Sequence, residues 1–211
     1  MTKRQQQQNL SDSRDGGYTI IESLVAMIVV SVLMIAIAPV MAFSVATRVQ
    51  ARRVELATQA ARTYINALRT GAIKDVPKGF PIQVTTSNVA DATAPTGYTT
   101  LYCVDMDGNG DCNPSSTKDF YVQGAWLNKN ATPTDVTSKG YELLVRVYRA
   151  DSFVGGLPLK APKDATKQSV VGSGLGDRTM PVVEMTTQIP PTTQGASSAY
   201  RSLCDRTEGC K

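Results

Sequence analysis

The chain has 211 residues, of which 42% are apolar and 19% are charged, and its formal net charge is +4. This balance is typical of a folded chain rather than a disordered one. Histidine is absent, which excludes Ser-His and Cys-His catalysis, histidine zinc sites and acid–base chemistry by imidazole.

The positive charge is concentrated in one short segment. Five arginines and a single acid, Glu55, lie within residues 48–69, whereas 14 basic and 14 acidic residues follow from Gly71 onward. A nucleic-acid-binding domain carries a basic footprint on its own surface, so no nucleic-acid partner is expected. Three interpretations of the arginines remain open: they lie at anionic lipid head groups, pair with acids of neighbouring subunits, or face solvent, which is the default for a run of charges.

The N-terminal part of the chain is dominated by one uncharged segment. Residues 1–17 are polar and rich in glutamine, and they lack the apolar region of a secretory signal. Glu22 follows, and the 24 residues 23–46 carry no charge. As a helix this segment would be about 36 Å long, enough to span a bilayer. A carboxylate at the head of such a helix is costly in lipid, which makes Glu22 a functional candidate.

Pro39 lies inside the uncharged segment, where it is expected to kink or locally melt the helix, or to be tolerated as membrane prolines often are. Beyond it, apolar residues recur at spacings of three and four, which predicts a helix from Tyr18 to Thr70, about 80 Å long, ended by Gly71. Only its second half is amphipathic and suited to pack on a globular domain. The apolar stripe comprises Val54, Ala57, Ala61, Tyr64, Ile65 and Leu68.

The remainder of the chain has the alternating pattern and the turn-rich connections of a β-domain. In the fourth predicted strand, alternate apolar residues from Tyr141 to Val147 share one face, and Gly124 in the third marks a candidate bulge. We therefore predict an α+β fold in which a long N-terminal helix packs on a small antiparallel β-sheet. Strands are predicted at residues 81–86, 98–104, 120–127, 141–148 and 182–189.

Four cysteines form two close pairs in the sequence, Cys103 with Cys112 and Cys204 with Cys210. Their separations of nine and six residues differ from the C-x-x-C spacing of zinc and thioredoxin-like sites. Three pairings are open, and loop-closure entropy favours the two local disulfides. Behind a membrane segment such disulfides indicate an oxidising compartment. The alternative is four unpaired thiols in a cytosolic protein.

The segment between the first two cysteines matches the first half of a calcium-binding loop. Oxygen ligands fall at alternate positions, and Gly110 stands where the loop turns sharply. Ser116 replaces the expected bidentate glutamate, and Asp119 would serve if the loop is rearranged. The alternative is a metal-free turn between two strands, and no other cofactor is required. The candidate calcium ligands are Asp105, Asp107, Asn109 and Asp111.

The aromatic residues of the β-region admit two interpretations. They form a platform for sugar rings, or they belong to the core, which is favoured for those in alternating strands. A membrane-anchored metal-dependent enzyme is a further alternative, but residues 120–211 supply no second cluster of bases or nucleophiles. The aromatic residues concerned are Tyr98, Tyr102, Tyr121, Trp126, Tyr141 and Tyr148.

The stretch Gly17-Tyr18-Thr19-Ile20-Ile21-Glu22-Ser23-Leu24 resembles the prepilin N-terminus of type IV pilins and type II secretion pseudopilins. The family pattern is a glycine, an aromatic residue, threonine, two aliphatic residues and glutamate, followed by an apolar helix. The similarity covers residues 17–46 and includes the proline at position 39. Tyr18 stands where the family usually has phenylalanine, and the leader is longer than in many members. The order of long helix and then β-region is also pilin-like.

This resemblance implies that a prepilin peptidase cuts between Gly17 and Tyr18 and that the new amino group of Tyr18 is methylated. Glu22 would then pair with that amino terminus, on its own or a neighbouring subunit, inside a filament. A buried carboxylate is expensive alone and tolerable beside a cationic amine. The alternative is that Glu22 merely sits at the head-group boundary.

The resemblance also implies how the chain is organised. Residues 1–17 are the leader peptide, residues 18–47 the transmembrane and filament-core helix, and residues 48–211 a periplasmic or extracellular globular domain. The chain would cross the inner membrane once with its leader in the cytoplasm, and would enter a periplasmic or cell-surface filament after processing. Expected partners are other pilins or pseudopilins, prepilin peptidase, the inner-membrane assembly platform, membrane lipid and, in one interpretation, polysaccharide.

A narrower resemblance rests on residues 44–62 (SVATRVQARRVELATQAAR) and on the following Cys-Val-Asp-x-Asp-Gly loop. Both look like the pseudopilins of cyanobacterial hormogonium polysaccharide secretion, and the PilV-like minor pilins are the near alternative. This similarity implies a structural, non-enzymatic filament subunit that supports polysaccharide secretion and gliding or twitching motility. A pilin-like subunit that binds DNA or polysaccharide is the alternative function.

Overall fold

The computed structural model describes residues 19–73, 78–162, 176–191, 200–201 and 203–204. Gly17 and Tyr18 of the predicted cleavage site therefore lie outside the described residues, as does Cys210. The chain divides into two compact units, one up to Ser44 and one from Val45 onward. A single helix, α1 (Ile20–Arg69), contributes to both units.

The first unit is the apolar start of α1. Thr19 precedes the helix, and the Glu22 backbone N–H donates to the Thr19 side-chain Oγ1 at 3.4 Å and to the Thr19 carbonyl at 3.0 Å. Thr19 is thus the N-cap of α1 and satisfies an N–H group that a helix start leaves free. The side chains of residues 20–44 are exposed, and among the described residues α1 is the one helix long and apolar enough to cross a membrane. α1 remains helical through Pro39, so the kink stays a prediction.

In the second unit, α1 ends as the sequence predicts. The N–H groups of Gly71 and Ala72 donate to the carbonyls of Leu68 and Ala67 at 3.2 and 2.9 Å. This pair of bonds is a Schellman motif, which requires a left-handed residue just past the helix. Gly71 meets this requirement with a φ of 70°.

The amphipathic half of α1 supplies one side of the hydrophobic core. The predicted apolar stripe is buried except for Val54, which is half-buried, and Gln50 and Ala60 are buried with it. The stripe packs on alternate residues of two strands, which confirms the predicted alternation in the fourth strand. The strand residues in this core are Phe120, Val122, Trp126, Tyr141, Leu143, Val145 and Val147.

Five strands form one sheet, in which β3 and β4 are central. The order is β1-β3-β4-β5, and β2 also pairs with β3. The predicted α+β fold, a long N-terminal helix packed on a sheet, is confirmed. The strands are β1 (Ile82–Gln83), β2 (Tyr102–Val104), β3 (Phe120–Leu127), β4 (Tyr141–Arg149) and β5 (Val183–Ile189).

The sheet is mixed, whereas the sequence predicts an antiparallel one. β1 runs parallel to β3, with Ile82 opposite Ala125, and the other pairings are antiparallel. Residues 84–119 separate these two strands, and this length allows the crossover that parallel pairing needs. The first two strands are also shorter than predicted. Leu101 donates its N–H to the Tyr98 carbonyl at 3.0 Å in a turn, so β2 starts only after it.

The predicted bulge at Gly124 is wrong. The pairing of β3 with β4 is continuous along the whole of β3. Gly124 instead leaves room for Tyr64 of α1, because a Cβ at this position would lie 2.1 Å from the Tyr64 hydroxyl oxygen. The glycine thus allows helix and sheet to approach closely.

The other face of the sheet is covered by the segment that follows β1. Val84, Val89 and Ala92 pack there on Ala125 of β3 and Leu144 of β4. The segment contains a single 3₁₀ turn, and two further short helices flank β4. These helices are the 3₁₀ turn Val89–Asp91, α2 (Val136–Lys139) and the 3₁₀ turn Ala150–Phe153.

Arg146 of β4 ties this covering segment to the sheet. The side chain is fully buried, and its Nε donates to the Glu184 carboxylate at 2.6 Å. Nη1 and Nη2 donate to the carbonyl oxygens of Ala92 and Ala90 at 2.5 and 2.9 Å. Because the guanidinium group is held on three sides by charge-assisted hydrogen bonds, it fixes residues 90–92 in place.

Candidate functional site

Glu22 is the predicted assembly residue that falls within the described part of the chain. It lies in the first turn of α1 and is exposed. The partial positive charge of a helix start stabilises a carboxylate there, which gives Glu22 a local role as well. Among the described residues no cation forms an ion pair with it. The carboxylate is therefore available to a cationic group from elsewhere.

The helix surface around Glu22 has only apolar and small polar side chains. No charged residue follows Glu22 before Arg48, and the side chains of residues 23–45 are exposed. An exposed apolar surface of this length is stable only against lipid or against other apolar helices. The site thus combines one charge with a long surface that excludes water.

The acidic loop between β2 and β3 is held together by its own carboxylates. Asp105 Oδ1 accepts hydrogen bonds from the N–H groups of Asp107 and Gly108 at 2.9 and 2.7 Å, and its Oδ2 accepts one from Gly110 at 2.7 Å. The pKa of Asp105 lies below its ordinary value, chiefly because of the hydrogen bonds from Gly110 and Gly108. The side chain is therefore a carboxylate at neutral pH. In the same way, the Asn109 N–H donates to the Asp107 side chain and the Asp111 N–H donates to the Asn109 side chain.

Three carboxylates converge in this loop. The side-chain oxygens of Asp105, Asp107 and Asp119 lie within 4.8 Å of one another. Asp119 is buried, and it accepts hydrogen bonds from the N–H groups of Met106 and Asn113 at 3.3 and 3.4 Å. Hard divalent cations prefer such clusters of oxygen ligands.

The cluster shares two of the four predicted ligands, and Asn109, whose side-chain Oδ1 accepts the Asp111 N–H at 2.9 Å, is not one of its three carboxylates. Asp105 and Asp107 belong to it, whereas Asp111 does not, and Asp119 supplies the third carboxylate. Ser116 occupies the place of the bidentate glutamate and donates its hydroxyl to Asp107 Oδ2 at 3.3 Å. The residues present fit a cation held by three carboxylates, although the arrangement is not that of a complete calcium loop.

A disulfide closes the acidic loop. Cys103 and Cys112 are bonded, with their Cα atoms 6.2 Å apart, which confirms the first predicted pair. The Tyr121 hydroxyl donates to the Cys112 carbonyl at 3.2 Å and so fixes the loop to β3. The pairing of Cys204 with Cys210 stays a prediction, because Cys210 lies outside the described residues.

Among the described residues, the aromatic side chains of the β-region favour the core interpretation over the alternative of a platform. Tyr121, Trp126, Tyr141 and Tyr148 are buried in the second unit, as the core interpretation predicts. Tyr102 is half-buried. Tyr98 is 38% exposed, and its ring packs on that of Tyr121 at 5.2 Å between centroids.

The N-terminal sequence matches a known family model. Residues 12–38 match the model described as the prokaryotic N-terminal methylation motif. The matched region spans the end of the polar leader, Glu22 and most of the uncharged segment. No curated protein and no solved structure matches the chain.

The match supports a type IV pilin-like or pseudopilin subunit. The motif implies processing by prepilin peptidase and assembly with other pilins. Together with the exposed apolar start of α1, it fits a membrane-anchored pilin. Similarity to this class suggests a structural, non-enzymatic subunit.

Proposed function

We propose that the chain is a minor pilin or pseudopilin, a structural subunit of a type IV pilus or of a type II secretion-like filament. Before processing, the uncharged segment anchors the chain in the inner membrane with its leader in the cytoplasm. After cleavage between Gly17 and Tyr18 and methylation of Tyr18, the subunit joins a filament in the periplasm or on the cell surface. The assembly platform of the inner membrane carries out this transfer.

The observation that carries this proposal is the methylation motif at the start of an exposed apolar helix. The motif covers residues 12–38, and α1 continues beyond it into the core of the second unit. One helix thus provides both an apolar surface for lipid or neighbouring helices and an amphipathic half that carries the β-sheet.

Glu22 gives the filament its register in this proposal. Inside a bundle of apolar helices an unpaired carboxylate is expensive, so the subunit is most stable where Glu22 meets a cation. The methylated amino group of Tyr18 is such a cation, and it keeps its positive charge after methylation. The Glu22 carboxylate and this amino group meet at only one axial position of the neighbouring helix.

The test separates the charge of Glu22 from the size of its side chain. Glu22→Gln removes the charge and keeps a side chain of nearly the same size, whereas Glu22→Ala removes both. Glu55→Gln, an exposed glutamate on the second half of α1, is the matched control. We expect both Glu22 variants to reach the membrane and to be cleaved, with incorporation into filaments reduced about tenfold or more. The control incorporates normally.

The readout is the ratio of subunit in sheared filaments to subunit in membranes, measured by immunoblot. Normal incorporation of Glu22→Gln would show that the charge sets no register and would overturn the role of Glu22. A chain that never enters filaments even as wild type would favour the alternative of a membrane-anchored enzyme or a solitary binding protein.

We further propose that the filament supports polysaccharide secretion and surface motility. Residues 44–62 and the acidic loop, which resemble hormogonium pseudopilins, support this role. Cells with the Glu22→Gln chain are expected to export less polysaccharide and to move less, as cells without the chain do. Normal export by cells that lack the chain would exclude this role and leave a PilV-like pilus function.

The acidic loop is proposed as a calcium site, with Asp105, Asp107 and Asp119 as the ligands. The convergence of their oxygens within 4.8 Å supports it. Calcium at about 100 times its Kd is expected to stabilise the folded chain by about 2.7 kcal/mol. This stabilisation is measured as an increase in melting temperature, which Asp119→Asn should abolish. Asp91 is an exposed acid outside the loop, so Asp91→Asn should leave the increase intact. Equal melting temperatures with calcium and with chelator would remove the metal site.

A further inference from the structure

One edge of β3 is interrupted. β2 pairs with Phe120, Tyr121 and Val122, and β1 pairs with Ala125 and Trp126, all along the edge that faces away from β4. Residues 123–124 lie between these two partners, and neither β1 nor β2 pairs with them. The sheet therefore has a gap two residues long at this edge.

A cleft lies at this gap. Its volume is about 310 Å³, within the range of small-molecule sites. Val122, Gln123 and Gly124 of β3 form one side, and the loop after Ala92 forms another. None of the described residues that line it is charged. The loop contributes four threonines, Thr93, Thr96, Thr99 and Thr100.

Gln123 carries a polar atom that has no hydrogen-bond partner. Its Nε2 donates to the Thr93 carbonyl at 2.8 Å, which fixes the orientation of the amide. The side-chain Oε1 is buried and accepts no hydrogen bond from the described residues, and Gln123 as a whole is 4% exposed. A buried carbonyl without a donor is costly, so a donor at this position would be favourable.

The cleft is held open by rigid neighbours. Arg146 binds the carbonyls of Ala90 and Ala92, immediately before the threonine loop starts. Gly79, which also lines the cleft, donates its N–H to the Thr100 carbonyl at 3.1 Å. Its own carbonyl accepts a hydrogen bond from the Tyr64 hydroxyl at 2.7 Å. Because both walls are tied to the core, a ligand meets a preformed site.

We propose that this cleft binds a neutral carbohydrate. Hydroxyl groups of a sugar both donate and accept, which matches the threonine hydroxyls and the side-chain amide of Gln123, all of which belong to residues that line the cleft. Phe80, Ile82 and Leu101 offer apolar contacts for the C–H faces of the ring. The absence of charged lining residues disfavours anions, and a gap two residues long is too short for a peptide to add as a strand. The site does not depend on the filament role proposed above.

The binding test uses the full chain in nanodiscs of zwitterionic lipid, because many detergents carry sugar head groups. The probes are neutral di- and trisaccharides that contain glucose, galactose, mannose or N-acetylglucosamine in α and β linkage. A capped tetra-alanine peptide serves as the comparison ligand. Ligand-observed NMR measures binding, and we expect at least one saccharide to bind with a Kd of about 1 mM or tighter.

Two matched variants locate the site. Thr96→Trp fills the cleft from its exposed rim, and Ser87→Trp adds the same side chain at an exposed position away from the cleft. We expect Thr96→Trp to abolish saccharide binding and Ser87→Trp to retain it, with equal melting temperatures. Gln123→Met should weaken binding about tenfold, as the loss of one hydrogen bond does.

Three results would overturn the proposal. The first is that none of the saccharides binds more tightly than about 10 mM. The second is that Thr96→Trp binds the saccharide as the wild type does, which would put the site elsewhere. The third is that only the peptide binds at the cleft. Filament incorporation is measured separately and is expected to be normal in Thr96→Trp.

Discussion

Single residues determine how closely the helix and the sheet approach. Tyr64 is fully buried, and burial raises the pKa of its phenol well above the ordinary value, so the hydroxyl stays protonated and donates to the Gly79 carbonyl. The same hydroxyl lies where a side chain at position 124 would begin. Gly124 and Tyr64 therefore act as one contact between α1 and β3.

The first prediction concerns this contact. In Gly124→Ala the new Cβ would lie 2.1 Å from the Tyr64 hydroxyl oxygen, and the overpacking should lower the free energy of unfolding by about 1–3 kcal/mol. The same substitution should cost less in a Tyr64→Phe background, which lacks the nearest clashing atom. Denaturation followed through the fluorescence of Trp126, the only tryptophan, measures both. Strictly additive losses would contradict the contact.

The second prediction concerns the buried guanidinium group. Arg146→Met leaves the Glu184 carboxylate and two backbone carbonyls without their donor, and should lower the free energy of unfolding by about 3–5 kcal/mol. Arg69→Met, which removes an exposed arginine from the end of α1, should cost at most about 1 kcal/mol. The same fluorescence measurement compares the two. A similar small loss in both would show that Arg146 does not hold residues 90–92.

The sequence contains some of these residue-scale features and lacks others. The Thr-x-x-Glu signature of a capping box is present at Thr19 and Glu22, and it predicts the start of α1. The charge of Arg146 inside an apolar strand marks it as unusual. Its partners are not predictable locally, because Ala90 and Ala92 lie 56 and 54 positions away in the sequence.

At the scale of elements, long periodic segments are predictable and short ones are not. The second half of α1 and β4 follow from spacings of three to four and of two, because each presents an apolar face to the core. β3 and β5 also lie where strands are predicted. β1 and β2 are too short for periodicity to define, and they share one edge of β3. The parallel direction of β1 and the gap that forms the cleft depend on this sharing. The sequence offers Asp119 only as a substitute ligand, and it is the fold that brings its carboxylate close to that of Asp105.

The third prediction concerns the loop between β2 and β3. Replacing Cys103 and Cys112 by serine removes the disulfide that closes this loop. The chain-entropy model gives a loss of about 2–3 kcal/mol in the free energy of unfolding for a loop of this size. Denaturation under non-reducing conditions measures the loss. The single variant Cys103→Ser should be as unstable as the double variant, and an unchanged stability in both would contradict a stabilising disulfide.

At the scale of the whole molecule, one helix serves two units. Its first part is exposed and apolar, and its second part is the core of the β-domain. This division is visible in the sequence, because no charge appears between Glu22 and Arg48. The motif at residues 12–38 supports a pilin-like class of protein. The proposed role in secretion has no such motif, because nothing in a helix or a sheet core depends on a substrate.

The fourth prediction tests the central claim that the chain is a processed pilin-like subunit. Cleavage after Gly17 would leave Tyr18 as the first residue, and methylation would add one methyl group to its amino nitrogen. Intact-mass and N-terminal mass spectrometry of the protein purified from its own cells measures both. The proposal predicts N-methyltyrosine followed by Thr19. A mature chain that still begins at Met1, or at any residue before Tyr18, would contradict it.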